Sequence, residues 1–194
     1  LDKIKFINDS LKESSEVKLK IIQECSNEII AAADTICKAY KSNKKVLFCG
    51  NGGSAADCQH LATEFMIRLS HHINRPALPA ISLTTDSSNL TAGGNDIGFE
   101  NVFARSIEGL GNEGDILIAI STSGNSSNII KAVETAKSKK MITIAFLGGS
   151  GGKLKNIAGL TVTIPSSNTQ RIQEGHITIG HIICEIVETE LYGE

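Results

Sequence analysis

Five short and almost uninterrupted apolar runs, at residues 46–49, 77–83, 115–120, 141–146 and 160–164, each stop at a turn containing Gly, Ser, Thr or Pro. This recurrence constrains the fold more than any other feature. Runs of that length, rich in Val, Ile, Leu and Phe, are strands covered on both faces. They follow one another at intervals of about 20 to 35 residues, enough for the crossover helices that make neighbouring strands parallel. The expected fold class is therefore α/β, a doubly wound three-layer αβα sandwich around a five-stranded parallel sheet. In such sheets ligands bind beyond the carboxyl ends of the strands, near the point where strand order reverses.

Helical patterns fill the intervals. Val17, Ile21, Ile22, Cys25, Ile29, Ile36 and Ala39 recur at spacings of three and four with no Gly or Pro between them. They predict a long amphipathic helix reaching about residue 40, with a short helical piece ahead of it. Further helices are expected at 56–69, 128–138 and 169–192. The last carries Ile172, Ile179, Ile183, Val187 and Leu191 on one face, mixed with His and Gln. Residues 84–96 read as a loop or turn whose Thr85, Asp86, Asn89, Gly93, Gly94, Asn95 and Asp96 could bond sugar hydroxyls.

The charge balance, 19 Lys and Arg against 21 Asp and Glu for a net −2, gives no footprint for nucleic acid or an anionic membrane. No run of about 18 apolar residues occurs, and charges interrupt every apolar stretch of the opening segment, so neither membrane spanning nor export is expected. Five cysteines without a C-x-x-C pair read as reduced thiols in a cytoplasmic protein.

Two loops carry the chemistry. Gly50-Asn51-Gly52-Gly53-Ser54-Ala55 closes the first strand and opens a helix, so its amides and the helix dipole can meet an anion. It also fits G-x-G-x-x-A, the dinucleotide fingerprint. That reading needs an acid at the end of the second strand about 20 residues on, and the nearest, Asp86, lies 33 residues after Gly53. Ser121-Thr122-Ser123-Gly124-Asn125-Ser126-Ser127 follows the third strand and opens the next helix. One of these residues is expected as a cap, but five hydroxyls exceed that need and suit the three oxygens of a phosphomonoester.

On the helix after the glycine loop, His60 and Glu64 stand at i and i+4 and share a face. The pair could ligate a metal or tune one another for proton transfer, or be an ordinary surface pair. Gln173 and His181 are separated by about 12 Å along a helix and roughly 80° around it. They would meet one site only with help from helix geometry, or else serve sites in different subunits. His176 is the rival on spacing.

The segments G-N-G-G-S-A-A-D-C-Q-H-L-A-T-E, S-T-S-G-N-S and R-I-Q-E-G-H-I-T-I-G-H, in this order, resemble the sugar isomerase (SIS) superfamily, and more closely the bacterial phosphoheptose isomerases. The resemblance implies a flavodoxin-like SIS domain over 43–194, preceded by a helical oligomerisation segment over 1–42. It implies conversion of sedoheptulose 7-phosphate to D-glycero-D-manno-heptose 7-phosphate through a cis-enediol, the first step of ADP- or GDP-heptose supply for bacterial surface polysaccharide. The implied assembly is a homotetramer with one Zn2+ per subunit.

By the same resemblance, Glu64 and His181 are catalytic. His60, Glu64, Gln173 and His181 hold the metal. Asn51, Gly52, Gly53, Ser54, Glu64, Asn95, Asp96, Ser121, Thr122, Ser123, Ser126 and Gln173 contact the phosphorylated heptose, and His176 is left to packing. One position departs: some relatives have an acid three residues before Gln173, where this chain has Gln170, which offers no carboxylate to a proton relay. The alternative implied by resemblance is a noncatalytic SIS-fold tetramer that binds the replication initiator DnaA.

Overall fold

The computed structural model describes residues 1–193. Five parallel strands, β1 (Val46–Gly50), β2 (Ala80–Ser82), β3 (Ile116–Ser121), β4 (Ile142–Gly148) and β5 (Leu160–Ile164), lie in the order β2-β1-β3-β4-β5. The doubly wound α/β expectation holds, and the order is the flavodoxin-like one, with its reversal between β1 and β3. Register is set by runs such as Val46 opposite Ile116 through Gly50 opposite Ile120.

Strand residues alternate between two cores, as the pleat requires. Val46, Phe48, Ile116, Ile118, Ile120, Ile144, Phe146, Val162 and Ile164 face one layer of helices. That layer is α1 (Lys3–Glu24), α2 (Ser26–Lys41), α3 (Gly53–Met66) and α8 (Thr169–Tyr192). Leu47, Cys49, Leu117, Ala119, Ala145 and Leu147 face the other layer. It contains α5 (Val102–Leu110), α6 (Ser127–Ser138) and the single turn α7 (Leu154–Ile157). Because Ile29, Ala32, Ala33 and Ile36 of α2 belong to the same cluster as the sheet, the helical segment 1–42 shares its core with the remainder.

Three expectations are corrected. The N-terminal pattern is two helices that meet at Cys25 (φ −127°, ψ −4°), not one long helix with a short piece ahead of it. Cys25 is buried and its thiol donates to Thr163 O at 3.3 Å, so the bend docks α2 on β5 while α1 turns to lie against the start of α8, where Asn168 donates to Glu13 and Arg171 to Ser10 O. Gly and Pro signal such breaks in sequence, and neither is present. Second, residues 87–96 are a helix, α4 (Ser87–Asp96), because Asp86 accepts from Asn89 N at 3.0 Å as its N-cap. Third, β2 is only Ala80–Ser82; ahead of it Pro79 O still accepts from Val46 N at 3.0 Å, but Leu78 is buried with its amide turned to Phe65 O.

At the amino-terminal edge of the sheet, Lys45 pairs with buried Asp115, whose carboxylate also accepts from Lys45 N and Asn112 N. Burial favours the neutral acid there, but these donors outweigh it and hold Asp115 below the usual carboxylate range. Among the described residues no helix is long and apolar enough to cross a membrane.

Candidate active site

At the reversal point the glycine loop and the serine loop stand side by side, joined by a reciprocal amide pair. Asn51 Nδ2 donates to Asn128 Oδ1 at 2.9 Å and Asn128 Nδ2 donates back to Asn51 Oδ1 at 2.8 Å. Asn128 is buried, and its Oδ1 also accepts from Ile129 N. The side chain of Asn51 is thus engaged in holding the two loops together. Sequence reasoning passed over Asn128, although a polar residue inside the apolar start of a helix is a signal for such a partner.

The glycines serve distinct purposes. Gly52 takes φ +56° at the N-cap of α3, a region disfavoured for other residues. Gly53 leaves room for Gln173, whose Nε2 lies 2.6 Å from where a Cβ would sit. In the second loop Gly124 has φ +64°, and a Cβ there would stand 1.9 Å from Gly151 O. Asn125 stitches this contact, donating to Ser123 O at 3.0 Å and accepting from Lys153 N at 3.1 Å, while Gly124 O accepts from Leu154 N.

Neither N-cap residue of α3 or α6 bonds a helix amide through its side chain, although in the first turns Ile129 N is taken by Asn128 Oδ1 and Ser126 O, and Ala55 N by Gly52 O. Ser126 is the N-cap residue of α6 but makes no capping bond; Ser121 Oγ accepts from Gly124 N at 3.2 Å and Ser123 Oγ from Asn125 N at 3.2 Å. Ser54 is buried at the first turn of α3 and Thr122 is partly exposed. Asp86, the acid that a dinucleotide ribose would need, is occupied as the cap of α4.

The second centre lies between α3 and α8. His60 Nε2 is 2.9 Å from Glu64 Oε1 and 3.1 Å from His181 Nε2, and the three candidate ligand atoms lie within 4.8 Å of one another. His60 can place one proton on Nε2, which satisfies Glu64 or His181 but not both. A divalent cation satisfies all three, so the donor set fits a zinc ion. The helices approach closely because residue 180 is glycine: a Cβ on Gly180 would stand 2.6 Å from a methyl of buried Leu61. A glycine inside a long helix is itself a sequence signal for such an approach.

Gln173 stands beside the glycine loop, and a rise of about 10 Å along α3 separates Gly53 from His60. Asn95 and Asp96 end α4, where Asn95 Nδ2 donates to Asp96 Oδ1 at 2.6 Å. Among the described residues no hydrogen bond or ion pair ties them to either loop. His176 is fully buried and donates from Nε2 to Leu147 O at 2.9 Å; burial pushes it down to about 4, against the weaker opposite pull of that carbonyl. It is a neutral packing histidine. All five cysteines are free and buried, and burial pushes Cys25 up to about 11 and Cys49 up to about 12, so they are inert thiols.

Comparison with known proteins places this arrangement in a family. The family model described as SIS domain matches residues 11–148. The phosphoheptose isomerase of Clostridium acetobutylicum is 50% identical over 191 residues, spanning 97% of this chain and 96% of that protein. The structure of a phosphoheptose isomerase from Francisella tularensis matches with a TM-score of 0.93 at 38% identity, covering 97% of this chain and 100% of that one. Phosphoheptose isomerase GmhA from Neisseria gonorrhoeae matches at 0.89 and 38% identity, covering 95% and 98%. With its two loops, its histidine and glutamate cluster and matches of this extent, the chain belongs to the SIS domain family and, within it, to the phosphoheptose isomerases.

Proposed function

We infer that the chain isomerises sedoheptulose 7-phosphate to D-glycero-D-manno-heptose 7-phosphate. The observation that carries this reading is the convergence of His60, Glu64 and His181 on helices that begin or run beside two anion-suited loops. The N-termini of α3 and α6, with Ser121, Thr122, Ser123 and Ser126, suit the phosphate. Asn51, Gly52, Gly53, Ser54, Asn95, Asp96 and Gln173 are assigned to the sugar.

Glu64 takes a proton from C1 of the ketose as the C2 oxygen gains one, which leaves a cis-enediol. The carboxyl group then returns its proton to C2, and the C1 hydroxyl loses its proton as the aldehyde forms. His181 moves the proton between the two oxygens. No net redox change occurs. Zinc held by His60, Glu64 and His181, one ion per subunit, with Gln173 as fourth ligand once its amide turns from Gly53, would supply electrophilic polarisation of the substrate oxygens.

The assembly proposed is a cytoplasmic homotetramer whose product enters heptose supply for surface polysaccharide. Self-association is supported by exposed apolar residues along α1, Ile4, Phe6, Ile7 and Leu11. The cytoplasm is supported by five free cysteines. A noncatalytic tetramer that binds DnaA has no use for three convergent donor groups. The test is NMR of sedoheptulose 7-phosphate with the protein in deuterated buffer, with and without zinc, for wild type, Glu64→Gln and His181→Ala. Aldose signals carrying deuterium at C2 are expected with wild type only; no aldose from zinc-loaded wild type overturns the reading.

A further inference from the structure

Residues 67–79 connect α3 to β2, and they carry an arginine with no place in the reaction described above. The side chains of Arg75 and of Glu188 on α8 are both wholly buried. Arg75 Nε donates to Glu188 Oε1 at 2.8 Å, and Nη2 lies 2.7 Å from the same oxygen. Glu188 also accepts from Leu69 N and Ser70 N, each at 2.9 Å. The remaining donors of Arg75 reach mainly the end of α3. Nη2 donates to Glu64 O at 2.7 Å, and Nη1 donates to Phe65 O at 2.8 Å and Pro76 O at 3.0 Å.

Stability alone is a poor reason for this arrangement. Taking two charges out of water is so unfavourable that apolar pairs of similar volume often replace a buried ion pair with no loss of stability. A carboxylate on the apolar face of α8, beside Cys184 and Val187, therefore calls for another account. An apolar pair could not bond the carbonyls at the end of α3, which lack partners within the helix. One of them belongs to Glu64 itself. At the other end, Glu188 stands seven residues after His181, two turns along nearly the same face of α8.

One guanidinium thus joins the turn that bears Glu64 to the helix that bears His181. We propose that Arg75 and Glu188 are positioning residues for the isomerisation: the buried pair fixes the last turn of α3 against α8, and so fixes the Glu64 carboxylate relative to His181. The contact of Gly180 with Leu61 sets the spacing beside the two histidines, and the ion pair sets it below them. Burial acts to raise the Glu188 acid, but the two amides and the guanidinium outweigh it and hold the group below its ordinary value, so the pair stays charged at neutral pH.

This inference rests on the proton-transfer role proposed for Glu64, and two variants separate it from a purely structural role. Arg75→Lys keeps a charge opposite Glu188 but gives up the forked bonds to Glu64 O and Phe65 O, leaving Phe65 O its one bond from Leu78 N. The double variant Arg75→Met with Glu188→Leu removes the pair without leaving a charge buried alone. For each, kcat, KM, the thermal midpoint and the zinc dissociation constant by chelator competition are measured on the full chain.

The expected result is a fall in kcat of about 10- to 100-fold, KM within about threefold of wild type, and zinc bound about tenfold more weakly. The double variant should do so with a thermal midpoint near that of wild type. Retention of wild-type kcat and zinc affinity by a folded double variant, or a loss of midpoint alone in Arg75→Lys, overturns the proposal. If wild type itself shows no isomerisation, the assigned reaction fails, and the zinc constants still decide whether the pair positions the cluster.

Discussion

The Nε2 atoms of His60 and His181 stand 3.1 Å apart although 121 residues separate them in the chain. Two imidazoles at that distance share a single proton or a single cation, and Glu64 competes for the same His60 nitrogen at 2.9 Å. His60→Ala is expected to weaken zinc binding by at least the roughly 100-fold that loss of an outer partner can cause. Competition with a chromophoric chelator measures it. Unchanged affinity would remove zinc from this cluster.

Gly180→Ala tests the helix spacing. The new methyl meets a Leu61 side chain that is 1% exposed and cannot swing into solvent. A destabilisation of about 1–3 kcal/mol is expected from overpacking, with a loss of kcat of about tenfold or more as His181 moves off His60. Adding Leu61→Ala should recover activity while stability stays low. Wild-type kcat in the single variant would show that α8 accommodates the methyl without moving.

The serine loop has its own probe in Gly124→Ala. Here the obstacle is backbone, Gly151 O at 1.9 Å, combined with a positive φ, so the loop must shift. Since this loop is assigned the phosphate and not the reacting carbons, KM should rise about tenfold or more, with a smaller change in kcat. Gly109→Ala is the control, because nothing lies within 4 Å of its Cβ position. Steady-state kinetics of both variants give the answer, and equal KM values would place the phosphate elsewhere.

His176 gives the stability a dependence on pH. Its folded value, about 4, lies below the ordinary 6.5, so the unfolded chain takes up the proton first. The contribution is complete above about pH 6.5 and is lost as pH falls towards 4. Between pH 7 and pH 5 the loss should be about 2 kcal/mol. His176→Gln retains a donor for Leu147 O and should flatten this part of the profile in urea unfolding. An unaltered slope would assign it to other groups. The depressed acids Asp115 and Glu188 act at lower pH, in the same direction.

What could be read from sequence divides along physical lines. The strands were legible because burial on both faces writes itself as unbroken apolar runs, and α8 because its period of 3.6 runs from Thr169 to Tyr192. The bend at Cys25 was not, since a tertiary bond to Thr163 makes it and no local breaker announces it. Residues 87–96 misled because their Gly and Asn content resembles a turn, while the signal that won was a single cap, Asp86. At the site, His60 and Glu64 were legible because i and i+4 always share a helix face. The meeting of His60 with His181, the engagement of Asn51 by Asn128 and the burial of Arg75 against Glu188 all join residues at least 77 apart in sequence, where no periodicity reaches.

The placement of both His181 and Glu188 on the last helix also sets an order of events during synthesis. Arg75 waits 113 residues for its carboxylate, which at translation speeds of about 5–20 residues per second is about 6–23 s. Throughout that interval the end of α3 has no lock, and His60 and Glu64 face no second imidazole. A nascent chain can therefore complete its sheet before His60 and Glu64 meet His181, and the centre proposed to bind metal and move protons forms only once α8 has been made.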